Sequence, residues 1–385
     1  MARRSNGEGT AAQQRKNGTW YRAVRIEGTN QRKYLYGKTK AEVDKKYKEF
    51  IKQVAGGTYT EVKKQSVEAY LFDWLTTYKK IELKPKSYDR LECTIKYQIA
   101  PYFKGYQFFA VGQDHIQKFI NKLDSDGCSY SVIRKAYLAL NTCYKFAMIK
   151  GDILKNPCAG VKLPKKAEKE IKTIQTLTQA EIPLYCEYAT AQYGNGKPIY
   201  RLGYALVLIL FTGLRLGEAM GLMWDDINFT NGTLTVRRTL EQVKNRDKGE
   251  GENNYILIEG KTKTQAGERT IPLNQTALNA LQELHKINGS FNYVLSNAKG
   301  KPINPRNLNR AHDNILERAG IQHIGIHALR HTFATQLFTK KVDIKIISKL
   351  LGHSDVSITY NTYIHLLKED IPSATAVLDN LLIAG

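Results

Sequence analysis

The chain has 385 residues, 42% of them hydrophobic and 24% charged, the balance of an ordinary globular protein with room for two or three domains. Lys and Arg number 58 against 36 Asp and Glu, and the resulting charge of +22 points to a polyanionic partner, nucleic acid ahead of a merely solvated basic surface. No apolar run approaches the ~20 residues of a membrane span and no signal-peptide pattern opens the chain; five cysteines, odd in number and without C-x-x-C spacing, read as reduced thiols of a cytoplasmic protein.

Residues 1 to about 14 are polar and are expected to be disordered. Alternation over residues 19–26 and again over 32–37 predicts two strands joined by a Gly28-Thr29-Asn30 turn. Thr39 is placed to cap a helix from Lys40 to about Val54, with Ala41, Val43, Tyr47, Phe50 and Ile51 on its apolar face. The first 60 residues hold 14 Lys and Arg against 5 Asp and Glu, or +9, in what reads as a basic sheet backed by one helix. Strands can enter a major groove, and Trp20, Arg22, Arg25, Arg32 and Lys33 are the candidate DNA contacts. The plainer alternative is that the aromatic residues only pack on the helix.

Residues 56–65 read as a linker, and 66–161 as four or five helices, from the 3–4 spacing of Val67, Tyr70, Leu71, Trp74 and Leu75 and of similar sets beyond. Gly127 and Asn156-Pro157 punctuate them. Lys84, Lys86, Ser87, Arg90, Lys96, Arg134 and Lys135 are candidate phosphate contacts, set against the usual role of a helix lysine, solvation. A charged linker, residues 163–170, precedes the third domain, where Thr178-x-x-Glu181 is a capping box. The apolar residues 202–211 predict a buried helix. Residues 232–236, 255–258 and 268–273 predict three strands of one small sheet, with 241–254 a flexible excursion. Further helices are expected over 277–287, 305–319 and 326–338. The domain limits are therefore 1–60, 61–165 and 166–385, and no internal repeat is present.

Three blocks carry the chemistry. Thr212-Gly213-Leu214-Arg215-Leu216-Gly217-Glu218 starts a helix on an arginine after an apolar run. His327-Ala328-Leu329-Arg330-His331 sets an imidazole and a guanidinium three apart on one helix face. Residues 350–363 end one helix at Gly352 and start another at Ser354 or Asp355, packed by Leu350, Leu351, Val356 and Ile358 and carrying His353 and Tyr363. Each has a plainer reading: Arg215 with Glu218 is an i, i+3 surface pair worth about 0.3 kcal/mol, and Tyr363 is one of 23 tyrosines, with Tyr360 three residues earlier. His327 and His331 stand four apart like metal ligands, but no third ligand supports a metal, and His331 reads as a packed residue.

Taken in order, Arg215, His327-x-x-Arg330, Leu-Leu-Gly-His353 and Asn-Thr-Tyr363-Ile-His resemble the tyrosine recombinase (phage-type integrase) family, and the likeness spans the last half of the chain. It is nearest the integrases of conjugative transposons and phages of low-GC Gram-positive bacteria. The resemblance implies a multidomain, mainly α fold with small antiparallel β-sheets: an arm-type DNA-binding sheet, a helical core-binding (SAM-like) domain and a catalytic domain. It also implies that Tyr363 attacks a DNA phosphate, giving a 3′-phosphotyrosine, with no cofactor and no metal. Arg215 and Arg330 would grip the non-bridging oxygens, since a guanidinium is bidentate and stays charged. His327 would shuttle the tyrosine proton and His353 would bond the phosphate. A lysine on a β-turn would be the general acid: Lys263, with Lys261 as its rival.

The implied partners are double-stranded DNA at core and arm sites, three further copies in a tetramer on DNA, and an excisionase or host DNA-bending protein, in the cytoplasm on the nucleoid. A cellular recombinase of the Xer kind, resolving chromosome dimers, is the second reading; such proteins usually lack a basic amino-terminal sheet. A non-catalytic DNA-binding regulator would be expected to have lost Arg215, Arg330 or Tyr363, and all three are present. The tail, residues 366–385, carries an apolar stripe at Ala374, Val377, Leu378, Leu381, Leu382 and Ile383 that must be buried on its own domain or on a neighbouring protomer.

Overall fold

The computed structural model describes residues 10–25, 32–55, 65–165, 175–261 and 267–367. Two units emerge, Met1–Glu168 and Lys169–Gly385. The first opens with an antiparallel sheet of β1 (Gln13–Gln14), β2 (Trp20–Arg25) and β3 (Arg32–Gly37), in that order, with Trp20 opposite Gly37 and Arg25 opposite Arg32. β1 lies in the stretch expected to be disordered; its pairing with Trp20 and Tyr21 gives two glutamines a ladder that their polarity does not advertise. Helix α1 (Lys40–Ala55) starts where Thr39 accepts from the Glu42 amide at 3.2 Å, while the Glu42 carboxylate accepts from the Lys38 amide at 2.8 Å. Its buried Val43 and Phe50 cover one face of the sheet.

The rest of this unit is helical. Helix α2 (Val67–Trp74), capped by the Ser66 hydroxyl, runs through a π-helical turn, Leu75–Lys79, into α3 (Lys80–Glu82). Likewise α4 (Pro85–Thr94) runs through Ile95–Ile99 into α5 (Ala100–Tyr102), and α6 (Gln113–Ser125) and α7 (Tyr130–Ile149) follow. At their centre Phe108 is stacked between Tyr70 and Tyr144, with ring centroids 3.7 and 4.3 Å away. Trp74, Ile95, Ile99, Phe119 and Leu140 complete the core.

In the second unit, the reciprocal bonds of Thr178 and Glu181 open α8 (Glu181–Thr190). The apolar helix α9 (Gly203–Thr212) is buried on nearly every side, and α10 (Leu216–Met220) follows. β4 (Ile227–Asn228), β5 (Thr233–Val236) and β8 (Arg269–Pro272) form one antiparallel sheet; β6 (Arg238–Lys244) and β7 (Tyr255–Lys261) form a separate two-stranded ribbon. Residues 255–258 therefore belong to a different sheet from their expected partners, and the expected excursion is strand up to Lys244. The charged and polar residues of β6 mask the inward Leu240 and Val243 that hold it down. Helices α11 (Gln275–Asn288), α12 (Pro305–Arg318), α13 (His327–Thr339), α14 (Ile344–Leu351) and α15 (Val356–Leu367) complete the unit. The fold is mainly helical with small antiparallel sheets, and among the described residues no helix is long and apolar enough to cross a membrane.

One buried polar relay fixes the approach to α13. His312, fully buried on α12, donates from Nε2 to the Ile324 carbonyl at 2.9 Å, so its Nδ1 accepts from the Tyr185 hydroxyl at 2.8 Å. Burial lowers the His312 pKa and keeps the ring neutral, as this arrangement needs. Substituting His312→Leu strands a hydroxyl and a carbonyl in the core and is expected to cost roughly 2–4 kcal/mol of stability, against about 1 kcal/mol for Tyr185→Phe. Denaturant unfolding measures both; equal midpoints for His312→Leu and the parent chain would remove the relay from the account.

Candidate active site

The local backbone of the first block follows from its glycine. α9 ends on Gly213 in the left-handed region (φ +66°), and a Cβ there would stand 2.5 Å from the Phe333 ring. The chain then extends through Arg215 into α10, and Glu218 turns back to accept from the Arg215 amide at 2.9 Å. The other carboxylate oxygen accepts from Arg215 Nη1 at 2.7 Å. A second arginine, Arg269 at the start of β8, donates to both oxygens, at 3.2 and 3.0 Å. Burial alone would raise the Glu218 pKa; Arg269 and then Arg215 outweigh it and hold the carboxylate below its usual range.

The second and third blocks meet the first at two helix ends. α14 stops on Gly352, again left-handed (φ +65°), which leaves its last carbonyls unbonded within the helix. Arg269 Nε donates to Leu350 O at 2.6 Å, Arg330 Nη2 to Leu351 O at 2.7 Å, and Arg215 Nη2 to Gly352 O at 3.2 Å. Arg330, only 3% exposed, also donates from Nη1 to Gly213 O at 2.7 Å, the C-terminal carbonyl region of α9. Burial, with Arg215 nearby, pushes the Arg330 pKa down to about 9, still a cation at neutral pH.

His353 follows Gly352. Its Nε2 lies 3.0 Å from Arg330 Nη2, which can only donate, so Nε2 is the acceptor and Nδ1 donates to the Thr359 hydroxyl at 2.7 Å. Burial, then Arg330, Arg215 and Arg269, lower its pKa to about 4. Asp355 caps α15 through the Ser357 amide, at 2.8 Å. The helix phase set by this cap turns Thr359 and Tyr363 inward and leaves Val356 and Ile358 37% and 45% exposed, so these two do not pack the element as expected.

Tyr363 is 2% exposed, packed among Ala334, Ile347, Leu351 and Phe333. Its hydroxyl is 2.9 Å from His331 Nδ1, and burial pushes its pKa up to about 12 despite the opposing pull of Arg330. The His327 ring meets that of His331 edge-on at 4.9 Å; among the described residues it has no hydrogen-bond partner. Thus Arg215, Arg330 and His353 lie in one bonded cluster with Glu218 and Arg269, and Tyr363 joins α13 through His331. Lys263 lies outside the described residues, and Lys261 ends β7. Arg269 drew attention in the sequence only as part of a strand; an arginine next to a carboxylate-bearing motif in space has no linear signal.

The candidate DNA contacts divide. Arg22 is paired with Asp44 at 3.2 Å and stacked on Tyr47 at 3.2 Å, and Lys33 lies over Phe50, so both face α1. Trp20 shares the Arg22 face by strand alternation. The opposite face instead presents Tyr21, Tyr34 and Tyr36 with Arg15 against two of the rings. Arg25 and Arg32 pair in the backbone ladder. Lys84, Lys86, Arg90, Arg134 and Lys135 are exposed on α4 and α7 or, for Lys84, just before α4.

A family model described as the phage integrase family matches residues 175–370, and one for the phage integrase N-terminal SAM-like domain matches residues 66–123. A tyrosine recombinase XerC-like protein of Caldanaerobacter subterraneus subsp. tengcongensis is 31% identical, over 96% of this chain and 98% of its own. Among solved structures, the Tn1549 transposon integrase in complex with circular intermediate DNA is similar with a TM-score of 0.64 at 21% identity, over 82% of this chain and 100% of that one. A lambda integrase tetramer bound to a Holliday junction gives 0.55 at 18% identity, over 90% and 96%.

The cluster is rich in cations and buries its imidazoles neutral, which sets a pH response. His331 and His353 have folded pKa values near 4 against 6.5 when unfolded. Between those values the unfolded chain binds protons that the folded unit refuses, so stability is lost as pH falls from about 6.5 toward about 4. Thermal unfolding of the DNA-free protein is expected to show a midpoint falling between pH 7 and pH 5, with a shallower slope for His353→Gln. A slope unchanged by that substitution would count against a neutral His353.

Proposed function

The chain belongs to the phage integrase family of tyrosine recombinases, which cut and rejoin DNA through a tyrosine nucleophile, and on that premise we propose that it integrates and excises a mobile element at specific DNA sites. The observation that carries the reading is the anchoring of Arg215 and Arg330 on adjacent carbonyls, Gly352 and Leu351. Each guanidinium has five N–H donors. Arg330 spends three, on Gly213, Leu351 and His353, and Arg215 spends two. The remaining donors are rigidly held and free to take the non-bridging oxygens of one phosphate, where charge grows as the tyrosine adds. Tyr363 attacks phosphorus and the 5′ oxygen leaves with a proton from the general acid, Lys263 or its rival Lys261. The 3′-phosphotyrosine conserves the bond, and a 5′-hydroxyl of another strand reverses the step.

The phosphate would also change His353. Its Nε2 is an acceptor while Arg330 is its partner; a bound phosphate offsets the three neighbouring guanidinium groups and favours the protonated ring, which can then donate to an oxygen. Lys84, Lys86, Arg90, Arg134 and Lys135 serve the core site in this reading, and the amino-terminal module the arm site, through the open face with Arg15 and the tyrosines. A tetramer on DNA is supported by the likeness to the lambda integrase tetramer. Apolar side chains exposed on α14 and α15, Ile346 and Ile358 among them, are in keeping with such contacts. An excisionase or host DNA-bending protein completes the proposed assembly, in the cytoplasm on the nucleoid.

The Xer-like reading is favoured by the name of the relative matched along nearly the whole chain. Two experiments separate the readings. A nicked suicide duplex is expected to trap protein on DNA through Tyr363, with Tyr363→Phe abolishing the adduct; peptide mapping of the adduct to Tyr360 would overturn the assignment. Removing residues 1–60 is expected to spare cleavage at the crossover site while lowering intermolecular integration at least tenfold. Recombination unchanged by that deletion would favour the Xer-like reading.

A further inference from the structure

We propose that Arg269 is a positioning residue: it occupies Glu218 so that the carboxylate cannot close on Arg215, and thereby keeps the Arg215 donors free for phosphate. The proposal rests on the transesterification reading above and adds one residue to it. The Arg269 side chain is only 7% exposed, against 38% for Arg215, so Arg269 is the member of this pair that faces the interior. Four of its five N–H groups are engaged there. Nε donates to Leu350 O at 2.6 Å, Nη1 to Glu218 Oε1 and to Gly267 O at 3.2 Å each, and Nη2 to Glu218 Oε2 at 3.0 Å. One guanidinium thus joins α10, the end of α14 and the residues just before its own strand.

The consequence lies in how the lone pairs of Glu218 are filled. Oε1 accepts from Arg215 Nη1 and Arg269 Nη1, and Oε2 from the Arg215 amide and Arg269 Nη2. Arg269 therefore takes the two-oxygen fork of the carboxylate, and Arg215 is left with a single side-chain bond to it. Burial raises the Glu218 pKa, and Arg269, ahead of Arg215, brings it below its usual range. Without Arg269 the buried carboxylate satisfies both oxygens by turning them on Arg215, because the paired fork is the strongest contact it can make with a guanidinium. That closure draws Arg215 Nη2 from Gly352 O, a bond of 3.2 Å, longer than those of Arg269 to Leu350 O and Arg330 to Leu351 O. It also engages donors that the phosphate needs, and it leaves Leu350 O without its partner. Such a protein would still bind DNA through its other cations, with Arg215 turned toward Glu218 and away from the substrate.

Single-turnover cleavage of the nicked suicide duplex by the full chain tests this, with Tyr363→Phe as the blank and with DNA affinity and unfolding midpoint measured for each variant. Arg269→Met is expected to slow covalent-complex formation by roughly 10²-fold, the scale of losing one transition-state donor. Its DNA affinity is expected to stay within about threefold of the parent's, because the lost contact matters only in the transition state. Adding Glu218→Gln to Arg269→Met removes the charge that closes on Arg215, and is expected to raise the rate again by about 10-fold or more. A merely structural role for Arg269 predicts the opposite, a further loss on the second change. A folded double variant no faster than Arg269→Met would overturn the proposal. Arg269→Lys keeps a cation beside Glu218 but cannot span both oxygens and Leu350 O, and is expected to be slower than the parent by about 10-fold. A parent-like rate in Arg269→Lys would show that charge alone suffices and would also overturn the proposal, and this variant decides the matter if those carrying Arg269→Met do not fold. If the parent chain itself forms no adduct, the transesterification reading falls and takes this proposal with it, a result distinct from any difference among the variants.

Discussion

The second unit depends on one carboxylate. Glu218 receives four hydrogen bonds, three from the guanidinium groups of Arg215 and Arg269 and one from the Arg215 amide. Without it, two arginines gathered beside a third, Arg330, would repel in a place where water screens little. One negative charge for three positive ones is a deliberate shortfall. It is enough to hold the groups in place and too little to neutralise them, which leaves a net positive charge at the proposed phosphate site.

The other anchors are main-chain carbonyls. α9 and α14 both end on left-handed glycines, and helix C-termini carry unbonded carbonyls and partial negative charge. Gly213, Leu350, Leu351 and Gly352 use that property to fix three arginines by one edge each. Neutral acceptors position a cation without cancelling its charge, so the spare N–H donors keep that charge for the proposed phosphate. The histidines obey the same field: with cations on several sides they stay unprotonated, and His353 serves Arg330 as an acceptor.

Tyr363, the proposed nucleophile, sits in the same field of charge. Tyr363 is buried and bonded to an imidazole, away from water that would compete for its proton. Burial raises its pKa and the Arg330 cation works against that rise, so the hydroxyl stays protonated in the resting site.

Much of this was legible in the linear chain, because the features concerned are local. The glycine at 352 that ends a helix, the Thr178 cap, a cap at Ser354 or Asp355, the basic first 60 residues and the order Arg215, His327, Arg330, His353, Tyr363 are all matters of spacing within a few turns, and the structure gives the second cap to Asp355. What needed tertiary structure was every pairing across distance. Strand partners in the second unit depended on which hydrophobic face each ribbon had to bury, so residues 255–258 joined β6 and not β5. Arg22 and Lys33 turned toward α1 because strand parity and helix docking, not charge, choose the face. Arg269 reached Glu218 across 51 residues, and the tyrosine's partner proved to be His331 and not His327. A helix fixes which residues share its face, but which of two imidazoles on that face meets a hydroxyl is decided only when another helix packs against it.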